Sequence, residues 1–270
     1  RVRAEALVTG TYRQADSEWV RLSGVPLEVV IGPYEVYADG LLGRKSMYEG
    51  MLMAVDRKRC ARLEEVESSL EALAKDFPLP AESQPAAGGT APMVVVHQLY
   101  YAGEARQPIY PAAFNLPNDP RVRGNAGWKQ VMLYNVMEEK FSCATVPIAR
   151  RVLAEAGGST DEEGPEDIAF EPLFYFVLLH EVSHGLGPAY RADGRSVDNC
   201  LGPAYTSIEE AKADTGGLDL MLSHNGQHGI PRFDERQILR SYTATLFRGM
   251  RFGVHEAHGA ANVIEHNWLR

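Results

Sequence analysis

The sequence predicts an α+β fold in two parts: a smaller strand-containing part that also carries a long helix, residues 1–136, and a mostly helical part, residues 137–270. Three observations predict it. Two runs rich in β-branched and aromatic residues, LEVVI at 27–31 and VVVHQLYY at 94–101, fall in the first half. In the second half apolar residues recur at helical spacing between glycine and proline stops. Residues 77–92, rich in Pro, Ala and Gly, and the acidic, glycine-containing residues 157–167 read as loops.

In chain order, residues 4–37 mix short apolar runs with turn signals, and the strand at 27–31 is bounded by Pro26 and by Gly32-Pro33. Residues 43–75 predict a long helix. Met47, Met51, Ala54 and Val55 share one face, and Leu63, Val66, Leu70 and Leu73 continue it. That methionine-rich face reads as core packing. Residues 94–101 predict a strand, 113–125 an irregular stretch punctuated by Pro and Asn, and 129–136 another strand. Residues 171–185 predict an apolar helix stopped by Gly185, Gly187 and Pro188. Residues 206–223 predict a helix capped by Thr206 or Ser207, each with a glutamate three positions later. Residues 234–252 and 256–268 predict two more helices.

With 270 residues and a 45% hydrophobic share, the chain can bury a substantial core. A net charge of -9 excludes the basic surface that nucleic acid requires. No apolar run approaches the ~18 residues of a membrane span, and no signal peptide is visible. Cys60, Cys143 and Cys200 contain no CxxC pair and are expected to be reduced thiols of a cytoplasmic protein. The chain starts at Arg1 without a methionine, and both ends look cut, so fused or neighbouring domains are expected outside it.

The chemistry concentrates in LLHEVSHGLGP, residues 178–188. On a helix, His180 and His184 lie one turn apart on one face. Two neutral imidazoles so placed can bind one tetrahedral zinc ion, and Glu181 beside them can serve as general base toward a water. The apolar residues 174–179 would bury the helix and dry the site. Two glutamates in SIEEAKADTGGL, residues 207–218, are candidate third ligands: Glu209 and Glu210. Glu210 has Asp214 one turn later, where a carboxylate can accept the ring N–H of a ligating histidine. That favours Glu210 as the ligand with Asp214 orienting. Two histidines, one glutamate and an open position suit catalysis, whereas structural zinc is commonly closed by cysteines.

These segments resemble the dipeptidyl peptidase III family of zinc peptidases, in particular the branch found fused to Nudix hydrolase domains. The likeness rests on HEVSHGLGP followed by EEAKAD and continues in three further segments. Residues 31–52 (IGPYEVYADGLLGRKSMYEGML) are similar to the family's E-T-Y segment. FNLPND at 114–119, running into GWKQVMLYNV, is similar to its N-x-P-N segment, and FGVHEAHGAANVIEHNWL at 252–269 to its late A-H segment. The resemblance implies that Glu35 and Tyr37 hold the substrate's N-terminus and adjacent backbone. It implies that Asn115 and Asn118 hydrogen-bond an extended peptide backbone, and that His258 stabilises the oxyanion. It also implies two lobes with the substrate in a cleft between them. The sequence departs from the family in two places. Most characterised members have one more residue between the two histidines, and Asp214 stands where they carry glutamate.

The expected function is therefore a zinc-dependent hydrolase with one Zn2+ per chain. It would be a metallopeptidase of aminopeptidase or dipeptidyl-peptidase type acting on a peptide or other small amide. The alternatives are a zinc hydrolase of a non-peptide amide or ester, and a non-catalytic zinc-binding interaction module. Glu181 argues against the last, since a pure binding site needs no base.

Overall fold

A computed structural model describes residues 1–34, 48–79, 92–103, 111–117, 119–155, 168–188, 191 and 193–269. The chain divides into two compact units, Arg1–Ser68 with Gly89–Val136, and Ser69–Gly88 with Met137–Arg270. The expected α+β class is borne out.

The first unit is built on a five-stranded sheet. Its strands are β1 (Leu27–Gly32), β2 (Glu49–Val55), β3 (Met93–Gly103), β4 (Ala113–Leu116) and β5 (Lys129–Leu133). Their order is β1-β2-β3-β5-β4, antiparallel throughout except for the parallel pair β3 and β5. The helices here are α1 (Val2–Thr9), α2 (Arg13–Arg21), α3 (Arg57–Ser68) and α5 (Pro120–Ala126). Val30, Met53, Val96, Val131 and Leu133 form the core with Trp19 and Tyr34. Every residue of β5 is buried, Lys129 included. The Lys129 ammonium lies 2.8 Å from Glu28 Oε1, donates to the Leu22 carbonyl and sits over the Trp19 ring. A buried lysine requires such a partner, and it explains why β1 turns Glu28 inward.

The second unit is helical. It contains α4 (Leu70–Asp76), α6 (Tyr134–Lys140, which begins at the unit boundary), α7 (Val146–Glu155) and α8 (Phe170–His184). It continues with α9 (Val197–Leu201), α10 (Tyr205–Ser223), α11 (Glu235–Met250) and α12 (Ala257–Leu269). A short π-helical stretch, Phe141–Thr145, joins α6 to α7. Helix α8 is buried along most of its length, from Pro172 to Ser183. Among the described residues, no helix is long and apolar enough to cross a membrane.

Some expectations are corrected. Of the helix expected over 43–75, residues 43–47 lie outside the described residues, and Glu49–Val55 is a strand. Met51 and Met53 both point inward, a two-residue period, because this segment pairs with β1 on one side and β3 on the other. Tertiary pairing overrides the helical propensity of Met, Leu and Ala. The helix proper starts at Arg57 and breaks at Ser69. The strand expected over 129–136 turns helical at Tyr134. The irregular stretch at 113–125 contains β4 and α5, and the N-terminal stretch contains α1 and α2. Neither Thr206 nor Ser207 caps α10: a 3-10 turn, Gly202–Ala204, feeds directly into the helix, and both residues lie inside it.

The placement of α8 against α10 depends on a glycine inside α10, Gly217, and its neighbour Gly216 makes room for a ring outside both helices. A Cβ at Gly217 would lie 2.7 Å from the His180 nitrogen and 3.0 Å from its Cα, and one at Gly216 would collide with the Phe77 ring. Glycine costs a helix interior about 0.5–1 kcal/mol relative to alanine; here its lack of a side chain lets two backbones meet. Gly217→Ala is expected to push the helices apart at His180 and cost ~1–3 kcal/mol. Thermal unfolding of the purified chain checks this, and an unchanged melting temperature would contradict it.

Candidate metal centre

Two helices supply the centre, each through residues one turn apart. Helix α8 presents His180 and His184, and α10 presents Glu210 and Asp214. The two Nε2 atoms lie 3.1 Å from each other. Glu210 Oε2 is 3.4 Å from the Nε2 of His180 and 3.6 Å from that of His184. Ligand atoms of His180, His184 and Glu210 all fall within 4.8 Å of one another.

The far nitrogen of each ring is held by a carboxylate. His180 Nδ1 lies 2.7 Å from Asp214 Oδ1, and His184 Nδ1 lies 3.1 Å from Glu209 Oε1. A carboxylate accepts, so each Nδ1 carries a hydrogen, and a ring that gives up its other proton turns a bare Nε2 lone pair inward. Two lone pairs and a carboxylate oxygen then converge on one point. Glu210 Oε2 is buried and receives no well-directed hydrogen bond from the described residues, although three imidazole nitrogens lie within 3.6 Å of it. Such a cluster of acceptors fits a cation, and two imidazoles with one carboxylate are a donor set that zinc takes.

The electrostatics agree. Burial disfavours charge on His180, yet the Asp214 and Glu210 carboxylates hold its pKa well above the imidazole range. Burial opposes charge on His184 too, but Glu209 and Glu210 push it up to about 9. Burial by itself would raise the Glu210 carboxyl; the two histidines instead hold it far below the usual range. Three carboxylates thus surround two imidazoles in a largely dry setting, a field that draws positive charge.

Glu181 follows His180 on α8 and is half-buried. His258, at the start of α12, brings its Nε2 to 3.3 Å from Glu210 Oε2, with its ring nearly parallel to that of His180. Its Nδ1 donates to Glu256 Oε1, 2.9 Å away. Asn115 lies on β4 of the first unit, opposite Gln130. Glu35, Tyr37 and Asn118 lie outside the described residues.

Sequence reasoning missed three partners. Glu209, weighed as a ligand, instead supports His184, and is itself held by Lys212, whose ammonium also donates to the Leu186 carbonyl. Glu256 accepts from the Gly259 amide and so caps α12 while orienting His258. Asn262 donates to Asp214 Oδ2 at 2.9 Å. Its spacing of four from His258 was the available signal, since the two share a helix face.

With that geometry in place, the relatives of the chain can be compared. The family model described as Peptidase family M49 matches residues 8–189. Nudix hydrolase 3 of Arabidopsis thaliana is 31% identical over 271 residues, covering 99% of this chain and 34% of that protein. Dipeptidyl peptidase 3 of Mus musculus is 29% identical over 239 residues, 78% of this chain and 31% of that one. Among solved structures, DPP III from Caldithrix abyssi superposes with a TM-score of 0.89 at 38% identity, covering 99% of this chain and 51% of its own. The dipeptidyl-peptidase III of Corallococcus sp. strain EGB does so with a TM-score of 0.79 at 33% identity, covering 98% and 49%. The chain spans about a third of the curated relatives and about half of the solved ones. The metal-site segment and the late helix that carried the resemblance are the segments the structure gathers around one point, and the chain belongs to peptidase family M49.

Proposed function

We propose that this chain forms the zinc-binding part of a metallopeptidase of aminopeptidase or dipeptidyl-peptidase type. The observation that carries the reading is the convergence of His180, His184 and Glu210 within 4.8 Å, with both imidazoles oriented by carboxylates from behind. His180, His184 and Glu210 would hold one zinc ion. When bound, zinc acts as a Lewis acid toward a carbonyl and makes a water more acidic.

The chain's own residues do the rest. Glu181 would take the proton of the attacking water and return it to the leaving amine, the general-base and general-acid halves of amide hydrolysis. Asp214 and Glu209 keep the two rings in the tautomer that faces inward. His258 would stabilise the developing oxyanion. Its Nδ1 hydrogen already serves Glu256, so Nε2 would donate to an oxyanion only when the ring carries both hydrogens. On the family resemblance, Glu35 and Tyr37 would bind the peptide's free amino end, and Asn115 and Asn118 its backbone.

Three outcomes are expected. Glu181→Gln should retain stoichiometric zinc by metal analysis and lose ~10²–10⁴-fold in hydrolysis of a dipeptidyl-naphthylamide; turnover at the wild-type rate would sink the assignment. Glu210→Ala removes the only carboxylate in the three-ligand set and should purify without stoichiometric zinc. Dialysing the wild-type chain against a chelator should abolish turnover, and added zinc should restore it.

A further inference from the structure

We infer that Gly249, on a helix that supplies no metal ligand, is a positioning residue for the metal centre: it leaves the room in which the Asn262 amide holds Asp214, and through Asp214 the His180 ring. The inference rests on the His180–His184–Glu210 reading above.

One oxygen of Asp214, Oδ1, lies 2.7 Å from His180 Nδ1. A carboxylate held at one oxygen can pivot about that contact, and the ring it orients pivots with it. The second oxygen is held from α12. Asn262 Nδ2 donates to Asp214 Oδ2 at 2.9 Å, and both residues are buried. Asparagine suits the position: it offers N–H donors without adding a charge to a dry setting, whereas an aspartate there would face a second carboxylate.

The amide can do this in one orientation. A carboxylate accepts, so the nitrogen end of Asn262 must face Asp214 and the oxygen end must turn away. It turns to α11, where a Cβ at Gly249 would fall on the Asn262 side-chain oxygen and 2.8 Å from its Cγ. Gly249 is buried in the last turn of α11 and has no positive φ. Its own backbone therefore does not call for glycine, and alanine is the better helix former. What calls for glycine is the amide. Helix α12 is also packed tightly three residues before Asn262, since a Cβ at Gly259 would collide with the Gly253 carbonyl just beyond α11. Moving α12 away would break that contact, so a methyl group at 249 displaces the Asn262 side chain instead, and the displaced amide loses Asp214. Four helices thus act in line: α11 through Gly249, α12 through Asn262, α10 through Asp214 and α8 through His180.

Zinc affinity of the full chain, measured by competition with a chromophoric chelator, tests the line. Gly249→Ala and Asn262→Ala should each bind zinc about 10–100-fold more weakly than the wild type. Both act through the same contact, so Gly249→Ala/Asn262→Ala should bind no more weakly than Asn262→Ala alone. Likewise Asn262→Ala should cost nothing further once Asp214→Ala is present. General loosening of the fold would instead add the losses. Wild-type affinity in Gly249→Ala, or additive losses in either pair, overturns the inference. Should Gly249→Ala fail to fold, the double variant with Asn262→Ala removes the collision and should restore folding; a double variant that stays unfolded overturns the inference. The contact can also be read without metal. In NMR spectra of the metal-free chain, the Asn262 side-chain NH2 hydrogens should exchange slowly with solvent, and faster in Asp214→Ala and in Gly249→Ala. Rapid exchange in the wild type, or no change in either variant, overturns the hold on Asp214. A wild-type chain that bound no zinc would defeat the metal-centre reading, while the amide exchange would still decide that hold.

Discussion

Two α-helices can share one ion only if their backbones approach more closely than ordinary side chains allow. Here that approach is the contact of Gly217 with the backbone at His180. It sets the distance between α8 and α10, and so the distance from the His180 and His184 rings to the Glu210 carboxylate. The same contact puts Asp214 within 2.7 Å of His180 Nδ1. Residues at i and i+4 on each helix then interleave, two imidazoles from one and two carboxylates from the other. Every other feature of the centre elaborates this pair of turns.

The geometry carries an electrostatic consequence. Burying carboxylates is costly unless positive charge meets them. Glu209 has Lys212, and the charge on Asp214 is spread over His180 and Asn262. Among the described residues, Glu210 Oε2 meets ring nitrogens at 3.3 to 3.6 Å, none of them well directed toward it. The unmet charge therefore lies at one position, between the two Nε2 atoms. A divalent cation there would satisfy all three acceptors together, while protons on the imidazoles satisfy them only in part. Metal and protons compete for the same electrons, so carboxylates that raise imidazole basicity also strengthen the rings as ligands.

How much of this was legible in the sequence follows from the range of each interaction. The pairs His180–His184 and Glu210–Asp214 are one-turn neighbours, and a helical period suffices to see that each shares a face. Strands β1 and β3 and helices α8, α11 and α12 were legible for the same reason. What failed depended on partners distant in sequence. Glu49–Val55 has the composition of a helix but is trapped between two strands. The burial of Lys129 depends on Glu28, 101 positions earlier, being placed beside it. Asn262 belongs to Asp214 across 48 residues; its spacing of four from His258 shows a shared helix face but not the partner which that face meets. The cap expected at Thr206 and Ser207 failed differently: a preceding 3-10 turn already directs the chain into α10, so no side chain is required to start it.

Helix α12 shows why the centre needs a third helix. With α8 and α10 alone, the outer edges of Asp214 and Glu210 would face water, and an aspartate carboxylate can rotate about two side-chain bonds. Helix α12 removes that freedom by placing polar groups on one stripe, His258 against Glu210 and Asn262 against Asp214. Its own orientation is set twice. Glu256 caps its start, and the Tyr242–Glu265 hydrogen bond ties its later turns to α11. An ion site made of flexible carboxylates would bind many ions loosely. Holding Asp214 from behind, and with it the His180 ring, narrows the geometry to what two imidazoles and one oxygen can satisfy, and a tetrahedral ion with one position left open would meet that requirement.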